Sequence, residues 1–332
     1  NQNYLLTSYG EEQGEEILRN ALQKYSLGTR SVNTSYENII VGAGTQTLLH
    51  ILCSLLGNNK KIALADYSYI QSEYVFNSHG YDIKYFRCDK YGACIDSLEE
   101  IKPDIILINP NFTVNSNITM PVTRRLEIIK WAKENNVLII EDDYNGELRY
   151  STHPMPCVQN YDTENTVYLG SFSKILLPSV RISYMVLPPH LAATYQEKLD
   201  FYACTVSNFE QYALAAFIEE GYFEKHLNRM RLYYTKQREA VLSVLKEDPF
   251  KCVGRVREAD SGLHFILELN TLLSDNEVKR KLEAEGIHIN ALSEYYHNNT
   301  DEYSHSFVIS YSDMKIENFR SACSKMSELT PL

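Results

Sequence analysis

The sequence predicts an α/β protein with a large, mostly parallel sheet sandwiched by helices and a smaller C-terminal α/β unit. Three observations carry that prediction. Apolar runs of strand length alternate with helix-period segments to about residue 200, several runs are apolar throughout, and a second, smaller alternation follows Pro249. Parallel neighbours need helical crossovers, and strands covered on both faces lose the polar alternation of half-exposed ones. At 332 residues the chain has room for two such units.

The first helix is read in GEEILRNALQKYSL, where Ile17, Leu18, Ala21, Leu22 and Tyr25 share a face. A strand, NIIVGAG, passes at once into the helix TQTLLHILCSLLG, closed by Gly57. KIALAD is the next strand, followed by a helix from about Tyr69 to Ser78 and the strand DIKYFRCD. The alternation continues through DIILINP, the helix TRRLEIIKWAKENN, the strand VLIIEDDY and strands around Lys174. Residues 191–246 read as a long helical span. Beyond it come GLHFILEL, a helix at NEVKRKLEAEG, IHINAL, SFVISYS and a final helix. On this reading residues 1–25 form an N-terminal arm, 26–200 the large domain, and 201–332 the linking helices and small domain.

Composition narrows the function. Hydrophobic residues are 44% and charged residues 23%, which excludes disordered and collagen-like classes. The 43 acidic and 32 basic residues give a net charge of −11, spread along the chain. Phosphate contact needs a basic face, so no direct nucleic-acid partner is expected of this chain. No apolar run reaches the roughly 20 residues of a bilayer span, and NQNYLLTSYGEEQGEE is unlike a signal peptide. A cytoplasmic location without membrane contact is expected. The seven cysteines are dispersed without a C-x-x-C pair and read as reduced thiols. The nine histidines lack ligand spacing, so no metal site is expected. A start at Asn1 without methionine suggests a piece of something longer. The 25 tyrosines include clusters such as DYSYIQSEY, suited to lining a polar pocket as well as packing a core.

Three stretches carry chemistry. In IIVGAGTQTLL a strand ends in Gly42-x-Gly44 and a helix begins at once, which lets an anion approach backbone N–H groups. Read alone it also suits a dinucleotide fold, with Asp66 as the ribose acid, although Thr47 stands where a third glycine belongs. It equally suits a plain tight connection. VLIIEDDYNGELRY runs an apolar strand into Glu141, Asp142, Asp143 and Tyr144, acids at a strand's carboxyl end or simply a solvated loop. YLGSFSKILLPSVRISYMVLP sets Lys174 and Arg181 between buried-looking strands, where each charge either snorkels outward or acts. A lysine near a cation is a competent amine nucleophile, Ser171 and Ser173 supply hydroxyls, and Arg181 offers a fork for phosphate. Lysine, acid and anion cradle together are what a pyridoxal phosphate site needs.

The motifs YGEEQGEEILRNAL, GAGTQTLLHIL, EDDYNGELRY and GSFSKILLPSVRISYMVLP resemble those of fold-type I aminotransferases. They are most similar to the aminotransferase-like domain of MocR/GabR bacterial transcription regulators, over nearly the whole chain. The resemblance implies that Lys174 forms the Schiff base, Asp142 pairs with the pyridinium nitrogen and Tyr144 bonds the ring phenolate. It implies that Thr45, Gln46, Ser171, Ser173 and Arg181 hold the phosphate, that Tyr69 stacks on the ring, and that Tyr9 reaches the phosphate of a neighbouring subunit. A homodimer with interfacial sites follows from that last role.

Two departures bear on function. MocR-type domains usually show a segment like SPSHQFPTG, whereas residues 109–117 here read NPNFTVNSN, with Phe112 at the position that is basic in some relatives, Asn115 for the proline and Asn117 for the glycine. SFVISYS places Val308 where aminotransferases of this group often carry a carboxylate-binding arginine. Arg149, Asn115 and His264 are the alternative donors. A transaminase gains rate by fixing substrate carboxylates, so losing both anchors favours a sensing domain that takes an amine, an amino acid or the cofactor itself at Lys174. DNA contact would then belong to an N-terminal winged helix-turn-helix outside this chain. The rival expectation is a free-standing aminotransferase.

Overall fold

In the computed structural model, residues 9–67, 70–111, 119–144, 146–148, 155–199, 201–248, 250, 253–258, 262–297 and 303–330 are described. Helix α1 (Glu16–Arg30) buries Leu18, Ala21 and Leu22 and ends where Ser31 turns left-handed, the Ser31 N–H donating to the Leu27 carbonyl and the Val32 N–H to that of Ser26. Strand β1 (Ile39–Gly42) is buried along its length and leads through Gly44 into α2 (Thr45–Leu56), which Gly57 caps. Then come β2 (Lys61–Ala65), α3 (Ile70–Ser78) and β3 (Asp82–Phe86). The run expected as one strand, DIKYFRCD, breaks after Phe86. Cys88–Asp89 (β4) leaves the sheet to pair with Gly92–Ala93 (β5) in a short hairpin.

The alternation resumes with α4 (Ile95–Ile101), β6 (Ile105–Ile108), α5 (Val122–Asn135), β7 (Leu138–Asp143), β8 (Thr166–Ser171) and β9 (Ser183–Val186). The helical span is three helices, α6 (Pro189–Lys198), α7 (Asn208–Glu219) and α8 (Tyr222–Val244), the last two divided at Gly221 with φ 73°. The remainder is β10 (Gly254–Glu258), β11 (His264–Leu269), α9 (Asp275–Glu283), β12 (Asn290–Ala291), β13 (Ser306–Ser310) and α10 (Ile316–Ser327).

The larger sheet has the order β1-β9-β8-β7-β6-β2-β3. Its pairings from β3 to β8 are parallel, and β9 alone runs against its neighbours. One face packs on α2, α3 and α6 around Leu48, Leu52, Phe76 and Tyr195. The other packs on α4 and α5 around Ile128 and Trp131, and on α1, α7 and α8 around Leu22, Leu214 and Phe223. This is the predicted α/β sandwich. The second sheet, β10-β11-β13-β12, is antiparallel throughout and covers one face with α8, α9 and α10 through Val241, Leu282 and Phe319. No described helix is long and apolar enough to cross a membrane.

Candidate functional site

Because β9 is antiparallel to both β1 and β8, strands β1, β7 and β8 run the same way and bring their carboxyl ends to one edge. An open α/β sheet offers its ligand crevice there. The edge receives the Gly42–Gly44 turn, Asp142 and Tyr144, and the excursion from Ser171 to Ser183 that carries Lys174.

At the glycine turn the chain adopts φ 90° at Gly44, a conformation side chains resist. A Cβ there would overlap Nη2 of Arg181, so the absent side chain is what lets the guanidinium lie against the turn. Arg181 itself has φ 55°, a strained backbone for a non-glycine residue and one found disproportionately at functional sites. Thr45 and Gln46 open α2 directly beyond Gly44 and carry free helix-start N–H groups. The Ala43 N–H donates to Thr205 Oγ1 at 2.9 Å, which ties the turn to the segment before α7. Guanidinium, helix N-terminus and small residues form an anion cradle.

Ser171 Oγ accepts from the Ser173 N–H at 3.3 Å and from Ser183 Oγ at 3.1 Å, which fixes the start of the excursion. The Phe172 N–H donates to the Ile182 carbonyl at 3.1 Å and closes its base. Lys174 is exposed in the turn above. Its ammonium lies within electrostatic reach of His264, the first residue of β11, and burial together with that charge pushes the imidazole down to about 4. His264 is therefore uncharged at neutral pH.

The acids at the end of β7 have separate surroundings. Side chains alternate across a strand, so Glu141 and Asp143 face α1 and α5 while Asp142 shares the face of Ile140 and of α2. Glu141 accepts from the Val158 and Gln159 N–H groups at 2.9 and 3.0 Å. Asp143 receives Arg30 Nε at 2.5 Å, Asn111 Nδ2 at 2.5 Å and the Tyr168 hydroxyl at 2.8 Å. Burial alone would raise Asp143, but Arg30 and these donors hold it below the usual carboxylate range. Asp142 has no such support: burial, then the Asp143 charge, push it up to about 7, and no cation or hydrogen bond among the described residues pulls it back.

That contrast tests the fit of pyridoxal phosphate. A carboxylate left without a cation, in the crevice that holds a lysine and an anion cradle, suits a ring bearing a protonated nitrogen. The described residues fit the group. Lys174, Asp142, Tyr144, Ser171, Ser173, Arg181, Thr45 and Gln46 all lie along this edge. Tyr9 is 97% exposed and does not reach this edge among the described residues. Tyr69, Phe112, Asn115, Asn117 and Arg149 lie outside the described residues.

Sequence reasoning missed the supports of this edge. Arg30 is buried against Asp143, and Arg125 donates to the Met120, Pro110 and Pro156 carbonyls and to Asn111 Oδ1, clamping the chain on both sides of residues 112–118. The signal was present in the acids themselves: three carboxylates in an apolar strand require buried donors. Among the described residues no group of three or more His, Cys, Asp or Glu is placed to hold a metal.

The fold and this edge define the architecture of the fold-type I aminotransferases. The sequence model of the family "Aminotransferase class I and II" matches residues 2–326, and the chain belongs to that family, on the branch carried by HTH-type regulators of the MocR kind. It is 37% identical over 310 residues to the HTH-type transcriptional regulator YdeL of Bacillus subtilis, covering 92% of this chain and 67% of YdeL. It is 36% identical over 318 residues to YhdI of the same organism, covering 96% and 67%. The regulatory protein MocR of Rhizobium meliloti is 28% identical over 287 residues, covering 86% and 58%. The chain thus spans about two thirds of the length of the two Bacillus relatives. Among solved structures, Pyrococcus horikoshii kynurenine aminotransferase superposes with TM-score 0.82 at 21% identity, covering 98% of this chain and 83% of that one. The multiple substrate aminotransferase of Thermococcus profundus gives 0.81 at 23%, covering 97% and 82%. These two likenesses show the fold.

Proposed function

We propose that this chain is the pyridoxal phosphate-binding, effector-sensing and dimerisation domain of a MocR/GabR-type transcriptional regulator, acting in the cytoplasm. The observation that carries the reading is Asp142, left without a cation in the crevice that holds Lys174 and the Gly44–Arg181 cradle. When bound, the cofactor supplies an aldehyde that captures a primary amine and a ring that draws electrons from it.

The chain's own groups have distinct tasks. Arg181, the N–H groups at Thr45 and Gln46, and the hydroxyls of Ser171 and Ser173 bind the phosphate. Asp142, as a carboxylate, would pair with a protonated ring nitrogen and help keep that proton in place. Tyr144 would offer a phenol to the ring oxygen, and Lys174 would supply the amine to which the aldehyde attaches. His264, uncharged at neutral pH, would add no second cation beside Lys174.

Sensing is favoured over turnover because Val308 leaves its site without a fixed carboxylate anchor, and rapid transamination needs the substrate oriented. A ligand then acts by stabilising one arrangement of the domain over another. DNA contact would come from an N-terminal winged helix-turn-helix; relatives of this chain are named as HTH-type transcriptional regulators.

The test is trapping with borohydride after loading with pyridoxal phosphate, followed by peptide mapping. A covalent adduct at Lys174 is expected, and Lys174→Ala should abolish it; an adduct persisting in that variant would place the attachment on another lysine. Rapid multiple turnover with amino acids and a 2-oxo acid would instead establish an aminotransferase.

A further inference from the structure

Lys174 stands on a turn rather than on a strand or helix, so the reach of its amine depends on what holds the turn from outside. Within the excursion the Ile175 and Leu176 N–H groups both donate to the Phe172 carbonyl, at 3.1 and 2.9 Å, and the Val180 N–H donates to the Leu177 carbonyl at 3.1 Å. Phe172 and Ile175 are buried, while Lys174 between them is exposed. Helix α8 supplies the outside contact. His226 Nε2 lies 2.8 Å from the Ile175 carbonyl, one residue beyond Lys174. A carbonyl only accepts, so Nε2 carries the hydrogen and donates it whether the ring is neutral or charged.

Helical period puts His226 at that point. Phe223, His226, Leu227 and Arg231 recur at spacings of three and four and share a face of α8. Phe223 and Leu227 are buried in the same cluster as Phe172 and Ile175, and the ring of Phe217 on α7 lies 6.3 Å from that of His226. Farther along the same face, Arg231 Nε donates to the Glu147 carbonyl at 2.9 Å, three residues beyond Tyr144. The helix then continues into the second unit, where Gln237 donates to the Met314 carbonyl and Val241 packs under the sheet. One helix, anchored in both units, thus clamps the two segments that carry Lys174 and Tyr144. An apolar residue at 226 would fill this seam as well as an imidazole does. What the imidazole adds is a directed donor to the backbone beside the lysine.

We propose that His226 is a positioning residue for Lys174: by holding the Ile175 carbonyl, its Nε2–H sets where the lysine amine meets the aldehyde of the bound cofactor. The proposal rests on the functional reading above and concerns how its attachment residue is placed. Displacing a reacting group by a fraction of an ångström is costly even where binding contacts elsewhere survive. The phosphate cradle at Gly44 and Arg181 lies on other segments, so the two effects are separable.

The experiment is equilibrium binding to the cofactor-free protein of two ligands: pyridoxal phosphate, and pyridoxine 5'-phosphate, which has an alcohol in place of the aldehyde and so can use the cradle but cannot attach to an amine. His226→Phe, which keeps a ring but removes the donor, should weaken pyridoxal phosphate about tenfold and leave pyridoxine 5'-phosphate within about twofold. His226→Gln, whose side-chain amide can donate from a similar position, should recover most of the loss. On a Lys174→Ala background His226→Phe should change the affinity of neither ligand. Should His226→Phe fail to fold, His226→Met gives the same comparison. Equal weakening of both ligands, with no recovery in His226→Gln, would make His226 a packing residue and overturn the proposal; so would unchanged affinity for pyridoxal phosphate in His226→Phe. Absence of a borohydride adduct at Lys174 in the wild-type protein overturns the functional reading and this proposal with it, whereas a normal adduct with either of the former results overturns this proposal alone.

Discussion

Asp143 faces Arg30 and accepts from Asn111 and Tyr168, while Asp142, one residue earlier, meets burial and a like charge. The sign of the consequence follows from the direction of each shift. The Asp142 pKa is raised from 3.8 to about 7 on folding, so the folded protein holds a proton that the unfolded chain has released. That contribution to stability is present in full below the unfolded value and is lost as pH rises through about 7. Glu141 and Glu147, also pushed up to about 7 by burial and then by Asp143, act in the same sense. Asp143, held low, acts in the opposite sense at acid pH. The cofactor-free protein should melt at a lower temperature at about pH 8 than at about pH 6. Asp142→Asn should reduce that difference, and so should loading with the cofactor, if a protonated ring nitrogen gives the carboxylate a partner as proposed. Calorimetry across this range decides it: a slope unchanged in the variant would mean that Asp142 is already ionised at neutral pH.

At the scale of elements, strand β7 shows what a sequence conveys and what it withholds. VLII followed by EDD marks a buried strand delivering acids to a ligand edge, and the element lies at Leu138–Asp143. Which acid is left without a cation and which is paired was not legible, because Arg30 lies 113 positions from Asp143 and reaches it only once α1 has packed on the sheet. The direction of β9 was legible only indirectly. Residues 172–182 are too few for a full helical crossover, which demands an antiparallel return, and the Ser171–Ser183 pairing has that sense. DIKYFRCD misled because its apolar residues continue after Phe86, while the pairing of Cys88 with Ala93 draws the chain out of the sheet. The buried pair is open to measurement. Arg30→Met would leave Asp143 charged without its cation and should cost about 3–5 kcal/mol in denaturant unfolding. Adding Asp143→Asn should recover part of the loss. Equal losses in the single and double variants would show that the arginine serves packing rather than charge.

At the scale of the whole molecule, Tyr9 and the aromatic residues about the start of α7 form a ridge that no other described residue covers. Tyr9 is 97%, Phe201 74% and Phe209 70% exposed, and the rings of Phe201 and Tyr202 lie 5.0 Å apart. The ridge is continuous with the cofactor edge. Gly10 sits so close to Asn208 that a Cβ would overlap its side chain, and Thr205 receives the Ala43 N–H from the glycine turn. Large aromatic side chains left in water on one chain and placed beside a binding edge are what a symmetric partner would bury. A stable interface removes about 1,200 Å² or more from water, and it would bring Tyr9 of one subunit toward the cradle of the other. Sedimentation of the wild-type protein should therefore give a homodimer at micromolar concentration, while Phe201→Asp combined with Phe209→Asp should shift it toward monomer. The same variant should bind pyridoxal phosphate about tenfold more weakly, because the phosphate would lose a contact from the second subunit while Arg181 and α2 remain in place. A wild-type monomer with full cofactor affinity would remove Tyr9 from the site and leave the cradle as the property of a single chain.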